Sequence, residues 1–242
     1  RDKDSDRVWS NTYAPVNEKP EKYEVVFASD RIKYSRNDGT ITTKTEVTVT
    51  KNHNAEIRKI TFKNNGNEVR RLELTSYTEP ILSENMDDVS HRVFNSMFIT
   101  TEYDKKSNSL IARRKSRGDA NISSYMVHKL FIPDAVEDYS FETERSNFIG
   151  RNQTSSNPKA IFGELSNYCG DNLDPVISIR NSIELQPRES KTIYLIMGFG
   201  RSREQIMDII RSYNNDTSIE NAFKVATLMN IINTKNMNIS GE

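Results

Sequence analysis

The chain has 242 residues, and its 34 basic and 34 acidic side chains give a formal net charge of zero. A chain of this length can bury about 70% of its unfolded surface, so it needs neither a disulfide nor a metal to form a core. The neutral balance argues against nucleic-acid binding, because cations that neutralise phosphates supply most of that affinity. The locally basic stretch 113–117 lies among acidic neighbours and is typical of a solvated loop.

The single cysteine, Cys169, excludes an internal disulfide framework and a cysteine-based zinc site. A lone thiol fits a reducing compartment, so we expect a cytoplasmic protein. Since no apolar run approaches the ~20 residues of a membrane helix, we expect no direct membrane insertion. Association with the cytoplasmic membrane through a longer parent chain stays open as the alternative.

Most of the chain alternates apolar and polar residues with a period of two, the pattern of strands that bury one face. β-branched and aromatic residues dominate these runs, as expected for a pleated surface with one buried side. The predicted strands are 23–28, 31–36, 40–51, 56–63, 69–77, 96–103, 110–114, 125–132, 139–143, 176–185 and 192–197.

Residues that tolerate a positive φ lie between several of these runs. The stretches 37–39 (Asn-Asp-Gly) and 64–67 (Asn-Asn-Gly-Asn) are both predicted to close β-hairpins. Helical patterns are nearly absent before residue 200. The predicted fold class is therefore all-β, with two antiparallel sheets stacked face to face.

The pattern becomes helical near residue 200. Ser202 followed by Gln205 predicts a capping box, and isoleucines at helical spacing follow it. A second helix is predicted to start at Thr217, with Glu220 as its capping partner.

The apolar face of this second helix is wider than one contact with a sandwich requires. We therefore expect it to be covered by further protein, and pairing with a second copy of the chain stays open. The change of pattern divides the chain into a β domain, residues 1–200, and a helical linker, residues 201–242, that leads toward a domain outside this sequence.

Motifs with catalytic or metal-binding chemistry are incomplete. The opening stretch 2–6 (Asp-Lys-Asp-Ser-Asp) starts like a calcium loop but lacks the required glycine. The stretch 198–200 (Gly-Phe-Gly) lacks the third glycine of a dinucleotide loop, so we interpret it as a strand-to-helix hinge. Glu142 and Glu144 are predicted to lie side by side on an exposed strand face rather than across a glycosidic bond.

Three histidines occur in unrelated settings: His53 in a predicted hairpin loop, His91 in an Asp- and Ser-rich loop, and His128 within a predicted strand. No pair of them has the spacing of a metal site, so we interpret each as a surface or packed side chain. No nucleophile elbow or phosphate-binding loop occurs in the sequence. The sequence therefore predicts no complete catalytic site, no metal and no cofactor.

A set of segments occurs in an order that is typical of one known family. They are 1–10 (RDKDSDRVWS), 12–16 (TYAPV), 23–28 (YEVVFA), 45–49 (TEVTV), 56–61 (EIRKIT), 74–79 (LTSYTE), 101–103 (TEY), 141–151 (FETERSNFIGR), 173–176 (LDPV) and 202–204 (SRE). Together they resemble the N-terminal domain of glycoside hydrolase family 94, the family of cellobiose and chitobiose phosphorylases. The likeness is greatest to cyclic β-1,2-glucan synthases and 1,2-β-oligoglucan phosphorylases.

The resemblance implies a two-sheet supersandwich of the galactose mutarotase type, joined by helices to an (α/α)6 barrel that carries the catalytic acid and the phosphate site. It implies that this domain is a non-catalytic scaffold or carbohydrate-binding domain of a β-1,2-glucan-processing phosphorylase or synthase. Its expected partners are the barrel of the same parent chain and a β-glucan oligosaccharide. Inorganic phosphate is then a reactant of the parent enzyme, not a cofactor of this domain.

Five residues are candidates for facing the barrel or the glucan: Phe148, Gly150 and Arg151 first, then Trp9 and Tyr13. An arginine can bind hydroxyls or phosphate through two hydrogen bonds, and glycine permits close approach. Aromatic rings pack on the apolar faces of sugars. The alternative for every one of these residues is a purely structural role at the edge of the sandwich.

Two further functions remain open from the sequence alone. A free-standing aldose mutarotase would need a histidine acid and a carboxylate base that converge in one cleft. A structural or adhesive β-domain would need no reactive groups. An acid and a base meeting in a closed cleft would favour the mutarotase.

Overall fold

The structure is a computed structural model that describes residues 1–115, 123–135 and 139–236. Eight strands form one sheet in the order β1-β2-β3-β4-β11-β8-β7-β6, and three form a second sheet in the order β5-β10-β9, all antiparallel. The strands are β1 (Lys22–Phe27), β2 (Ile32–Asp38), β3 (Ile41–Val49), β4 (Ala55–Asn64), β5 (Arg70–Thr75), β6 (Ile99–Asp104), β7 (Ser109–Arg114), β8 (Ser124–Phe131), β9 (Ser140–Glu144), β10 (Pro175–Leu185) and β11 (Ser190–Gly200). Every predicted strand is confirmed, with its ends displaced by a few residues.

The large sheet is apolar on both faces in its centre. Alternation along β4 and β11 turns Ile60 and Ile193 toward the small sheet, where they join the core between the two sheets. The same alternation turns Ile57 and Ile196 toward the opposite face, which the C-terminal helices cover. The centre of the large sheet is therefore the middle layer of three.

Two helices, α3 (Arg203–Ser212) and α4 (Asp216–Asn236), cover that outer face. The predicted cap of α3 is confirmed, because Ser202 Oγ accepts a hydrogen bond from the backbone N–H of Gln205. The second predicted helix is confirmed and begins one residue before Thr217, but its predicted cap is wrong. Asn215 caps this helix instead, since its Oδ1 accepts a 2.9 Å hydrogen bond from Ser218 N.

Glu220, the predicted capping partner, has a different role. Its carboxylate accepts a hydrogen bond from the Tyr194 hydroxyl at 2.9 Å and forms a 2.6 Å ion pair with Lys59. Both partners lie on the large sheet, so Glu220 fastens α4 to β11 and β4.

The stretch 37–39 closes the β2–β3 hairpin as predicted, with Gly39 at φ +60°. The hairpin predicted at 64–67 is wrong, because β4 and β5 belong to different sheets. The buried Asn64 side chain donates to the carbonyls of Glu68, Leu185 and Gln186 and accepts from Gly66 N. These bonds let the chain cross from one sheet to the other.

Among the described residues before residue 200, three short helical segments occur, contrary to prediction: α1 (Asn85–Ser96), α2 (Arg145–Ile149) and a 3₁₀ helix (Lys159–Phe162). Helix α1 contains His91, which therefore does not lie in a loop, although its own φ and ψ are not helical. None of the described helices combines the length and the apolarity that crossing a bilayer requires.

Candidate functional site

A cavity of about 320 Å³ opens between the two sheets beside the N-terminal segment. Its walls include Ile60 and Leu195 of the large sheet and Leu74 of the small sheet. Trp9 and Phe148 line it as well. The cavity is therefore a slot beside the core between the sheets, and residues 8–12 and 14–16 of the N-terminal segment form part of its wall.

Arg36 holds the N-terminal loop over this slot. Arg36 and Asp38 are two residues apart on β2, so both side chains lie on its inner face. Both are buried, and two hydrogen bonds of 2.6 Å join them. The remaining guanidinium donors bind the carbonyls of Ser10, Thr12 and Glu18. One buried cation thus fixes the loop on both sides of its turn and sets the position of Trp9 at its start.

Helix α2 brings Phe148 into the cavity wall. Phe148 is buried, and its ring lies 4.8 Å from that of Tyr77, centroid to centroid. The helix stops at Gly150, whose φ of +85° is open to glycine but strained for other residues. A Cβ at this position would lie 2.7 Å from Cβ of Lys159, so the glycine also permits close packing of the next loop.

The Tyr77 hydroxyl is fixed by a charged cluster at the rim. It donates to Glu79 Oε1 at 2.5 Å, and Arg145 Nε donates to the same oxygen at 2.9 Å. Burial and the neighbouring Glu79 carboxylate raise the pKa of Tyr77 to about 12. Tyr77 therefore stays protonated well above neutral pH, and its hydroxyl bonds Glu79 while its ring packs against Phe148.

The slot also has polar walls, which include Arg1, Asn11, Arg58, Glu73 and Ser76. Ser76 Oγ lies 2.8 Å from Nε2 of His128, which is fully buried on the inner face of β8. Burial, with a smaller effect from Arg58, lowers the pKa of His128 to about 3, so the imidazole is neutral near neutral pH. Arg58, which also lines the slot, donates from Nε to Glu56 at 2.6 Å.

The structure brings together two of the five residues predicted to face substrate. Trp9 and Phe148 line the same cavity, although Phe148 is buried rather than exposed at the surface. Gly150 lies behind this wall as the end of α2. Tyr13 is 45% exposed and its ring packs near Tyr23, and Arg151 is exposed; neither lines the cavity.

Sequence reasoning missed the groups that position this site, namely Arg36, Asp38 and Tyr77. A signal for the first two existed, because residues two apart on a strand share a face and these two have opposite charges. Tyr77 had no such signal, since Arg145 reaches its partner Glu79 from a distant part of the chain.

Glu142 differs from the prediction of an exposed acidic face. It is buried, and its carboxylate accepts hydrogen bonds from the backbone N–H groups of Thr143, Glu144 and Ser166. Glu142 therefore orders the end of β9.

The stretch 113–117 is only partly a loop. Arg113 and Arg114 end strand β7, and Lys115 pairs with Asp171 at 3.1 Å. Residues 116–117 fall outside the described residues.

His53, in the turn between β3 and β4, contacts Asp208 of α3 and Tyr213, which follows the last residue of that helix. Its Nε2 lies 3.1 Å from Asp208 Oδ2 and its Nδ1 lies 3.0 Å from the Tyr213 hydroxyl. The group lies on the helix-covered face, away from the cavity. Among the described residues no cluster of three histidine, cysteine or carboxylate side chains could hold a metal ion.

Comparison with known proteins gives a consistent result. The family model described as "Glycosyl hydrolase 94, supersandwich domain" matches residues 1–216. The cyclic beta-(1,2)-glucan synthase NdvB of Rhizobium meliloti (strain 1021) is 30% identical over 180 residues, which is 73% of this chain and 6% of the synthase. The N,N'-diacetylchitobiose phosphorylase of Vibrio proteolyticus is 25% identical over 224 residues, which is 86% of this chain and 26% of the phosphorylase.

Among solved structures, a bacterial glucoamylase complexed with acarbose superposes with a TM-score of 0.52 at 14% identity. The match covers 85% of this chain and 28% of the glucoamylase chain. At this identity the likeness concerns the fold alone. The chain thus spans a minor part of each of the larger proteins that it matches.

Proposed function

Since the chain belongs to the glycosyl hydrolase 94 supersandwich domain family, we propose that it is a non-catalytic scaffold and carbohydrate-binding domain of a β-1,2-glucan-processing enzyme. In this proposal the catalytic acid and the site for inorganic phosphate lie on an (α/α)6 barrel of the same parent chain. The similarity to a β-1,2-glucan synthase supports the choice of glucan.

The observation that carries the scaffold proposal is the exposed apolar half of α4. The family match ends at residue 216, where α4 begins. The first turns of α4 bury Ile219 and Phe223 against the large sheet, whereas Leu228 is 58% exposed further along. Val225, Ile231 and Ile232 are exposed as well. A contiguous apolar helix face of this kind marks a contact with other protein.

The carbohydrate-binding part rests on the slot between the sheets. Its volume of about 320 Å³ lies at the lower end of the range of ligand pockets, roughly 300–1,000 Å³. The rings of Trp9 and Tyr77 offer flat apolar surfaces for sugar faces, and Asn11, Ser76 and Arg58 offer hydrogen bonds for hydroxyls. This combination suits a short oligosaccharide that enters beside the N-terminal loop.

An NMR titration tests the carbohydrate-binding part. The ¹⁵N-labelled chain is titrated with β-1,2-gluco-oligosaccharides to millimolar concentration, and the Trp9 indole resonance is followed. We expect it to shift in wild type and in the control Tyr168→Leu, which removes an exposed ring that does not line the slot. We expect Trp9→Leu to weaken the remaining shifts. If no resonance moves, the domain does not bind this sugar.

Hydrogen exchange tests the scaffold part separately. The amides of α4 are compared between this chain and the parent protein that carries the barrel. We expect the second half of α4 to exchange more slowly in the parent protein, because its apolar face is then covered. Equal exchange in the two proteins would contradict a packed barrel.

A further inference from the structure

A second cavity, a cleft of about 150 Å³, opens on the outer face of the large sheet. Its walls come from β6, β7 and β8 and from Arg203, the first residue of α3. Ile111 lines the cleft and belongs to the core cluster of the outer face, whereas the slot is lined from the inner face. A pocket for a whole small molecule measures at least roughly 300 Å³, so this cleft suits one polar group of a ligand.

The basic stretch 113–117 supplies two cations to this cleft. Alternation along β7 turns Arg113 toward the outer face and Arg114 toward the inner face. Arg114 donates to the carbonyl oxygen of Asn95 at 2.9 Å and to Asn95 Oδ1 at 2.8 Å. Lys115, which directly follows the strand, lines the cleft together with Arg113. The basic stretch therefore divides, and two of its members share one site.

Arg113 is the cation of the cleft whose charge stays uncompensated within the described part of the chain. Arg203 is paired with Glu102, and Lys115 is paired with Asp171 at 3.1 Å. Arg113 forms neither a hydrogen bond nor an ion pair with any described residue. The cleft thus has one positive charge in excess.

Tyr125 sets the orientation of this guanidinium. The two residues lie directly opposite each other in the β7–β8 ladder, and Cζ of Arg113 lies 5.6 Å from the centroid of the Tyr125 ring. A guanidinium that lies over an aromatic face keeps its N–H edge available for an acceptor. The Tyr125 hydroxyl has no hydrogen-bond partner among the described residues either. Unpaired donors beside an excess positive charge are suited to an oxyanion.

We propose that this cleft binds a phosphate group, either inorganic phosphate or the phosphate of a sugar phosphate. Arg113 donates two hydrogen bonds to it, and the remaining N–H groups of Lys115 and Arg203 donate from other sides of the cleft. Phosphate fits these donors better than a carboxylate does, because its oxygens accept from several directions. The site goes beyond the proposed glucan binding in the slot and does not depend on it.

Titration of the ¹⁵N-labelled chain with sodium phosphate tests the site, with sodium chloride used to hold the ionic strength constant. The backbone amides of Thr100 and Tyr125 are expected to shift and to saturate at millimolar phosphate. Arg113→Gln keeps a polar side chain without the charge and is expected to weaken phosphate binding about ten-fold, since hydrogen bonds from a charged group are lost. The matched control Arg151→Gln removes an exposed arginine outside the cleft and is expected to leave the affinity unchanged.

Two further ligands identify the source of the phosphate group. Tighter binding of glucose 1-phosphate than of inorganic phosphate would assign the site to a sugar phosphate, and equal or weaker binding would assign it to free phosphate. Glucose alone is expected to shift neither amide.

The proposal is overturned if neither phosphate compound gives a saturable shift, if sodium chloride or glucose alone gives the same shift, or if Arg113→Gln binds phosphate as tightly as wild type. The Trp9 indole resonance reports on the slot in the same spectra. Failure of this site is therefore distinguishable from failure of glucan binding.

Discussion

Replacing Arg36 with alanine is the sharpest test of how the N-terminal loop is held over the slot. The substitution removes five hydrogen bonds at once, two to Asp38 and three to loop carbonyls. It leaves the Asp38 carboxylate buried without a cation, and loss of one partner of a buried ion pair costs about 3–5 kcal/mol. A domain of ordinary stability has about 5–15 kcal/mol in total, so this loss is a large share of it.

Urea unfolding followed by far-ultraviolet circular dichroism gives the free energy, and fluorescence reports on the loop because Trp9 is the single tryptophan. We expect Arg36→Ala to lower the free energy of unfolding by about 3–5 kcal/mol and to shift Trp9 emission to the red. The double variant Arg36→Met/Asp38→Leu leaves no unpaired charge and should regain more than half of the lost free energy. Its Trp9 emission should stay red-shifted as in Arg36→Ala, because the bonds to the loop carbonyls are still missing. A loss below about 1 kcal/mol would refute the reasoning, since an exposed pair costs that much.

Three further outcomes follow from the described contacts. Below pH 6.5 the unfolded chain protonates His128 but the folded chain, with a pKa of about 3, does not. The contribution of His128 to the unfolding free energy is therefore full above pH 6.5 and is lost as the pH falls. Between pH 7 and pH 5, the unfolding free energy should fall by about 2 kcal/mol more in wild type than in His128→Asn. An equal fall in the two proteins, measured by urea unfolding at each pH, would contradict this. Gly150→Ala should cost about 1–3 kcal/mol by thermal melting, because φ is +85° and the Cβ meets Lys159. Gly163→Ala, at φ −114° with its nearest contact at 3.5 Å, should stay within about 0.5 kcal/mol of wild type, and equal losses at both glycines would remove the conformational explanation.

The strands could be predicted from the sequence because successive side chains of a strand point to opposite faces, so a half-buried strand alternates apolar and polar residues. Helix α1 was missed although Met86, Val89 and Val93 have helical spacing, since those side chains are exposed and the polar residues between them are typical of a loop. The crossing at Asn64 could not be predicted, because its decisive partners are carbonyls of the β10–β11 connection.

The candidate site was predicted only in part for the same physical reason. Trp9 and Phe148 were singled out one by one as aromatic residues near loops, and both line the slot. Nothing local shows that they share one cavity, because Arg36 positions the first and α2 the second. Arg151 belongs to the same sequence motif as Phe148 but does not line the cavity, since Gly150 ends the helix between them.

The proposal of a non-catalytic domain is tested most directly by incubating the chain with β-1,2-gluco-oligosaccharides and inorganic phosphate and measuring glucose 1-phosphate and free glucose. We expect neither product above the level in buffer, even at sugar concentrations that shift the Trp9 resonance. Sustained release of either sugar by the chain, lost on substitution of a residue in the slot, would contradict the assignment of catalysis to the barrel.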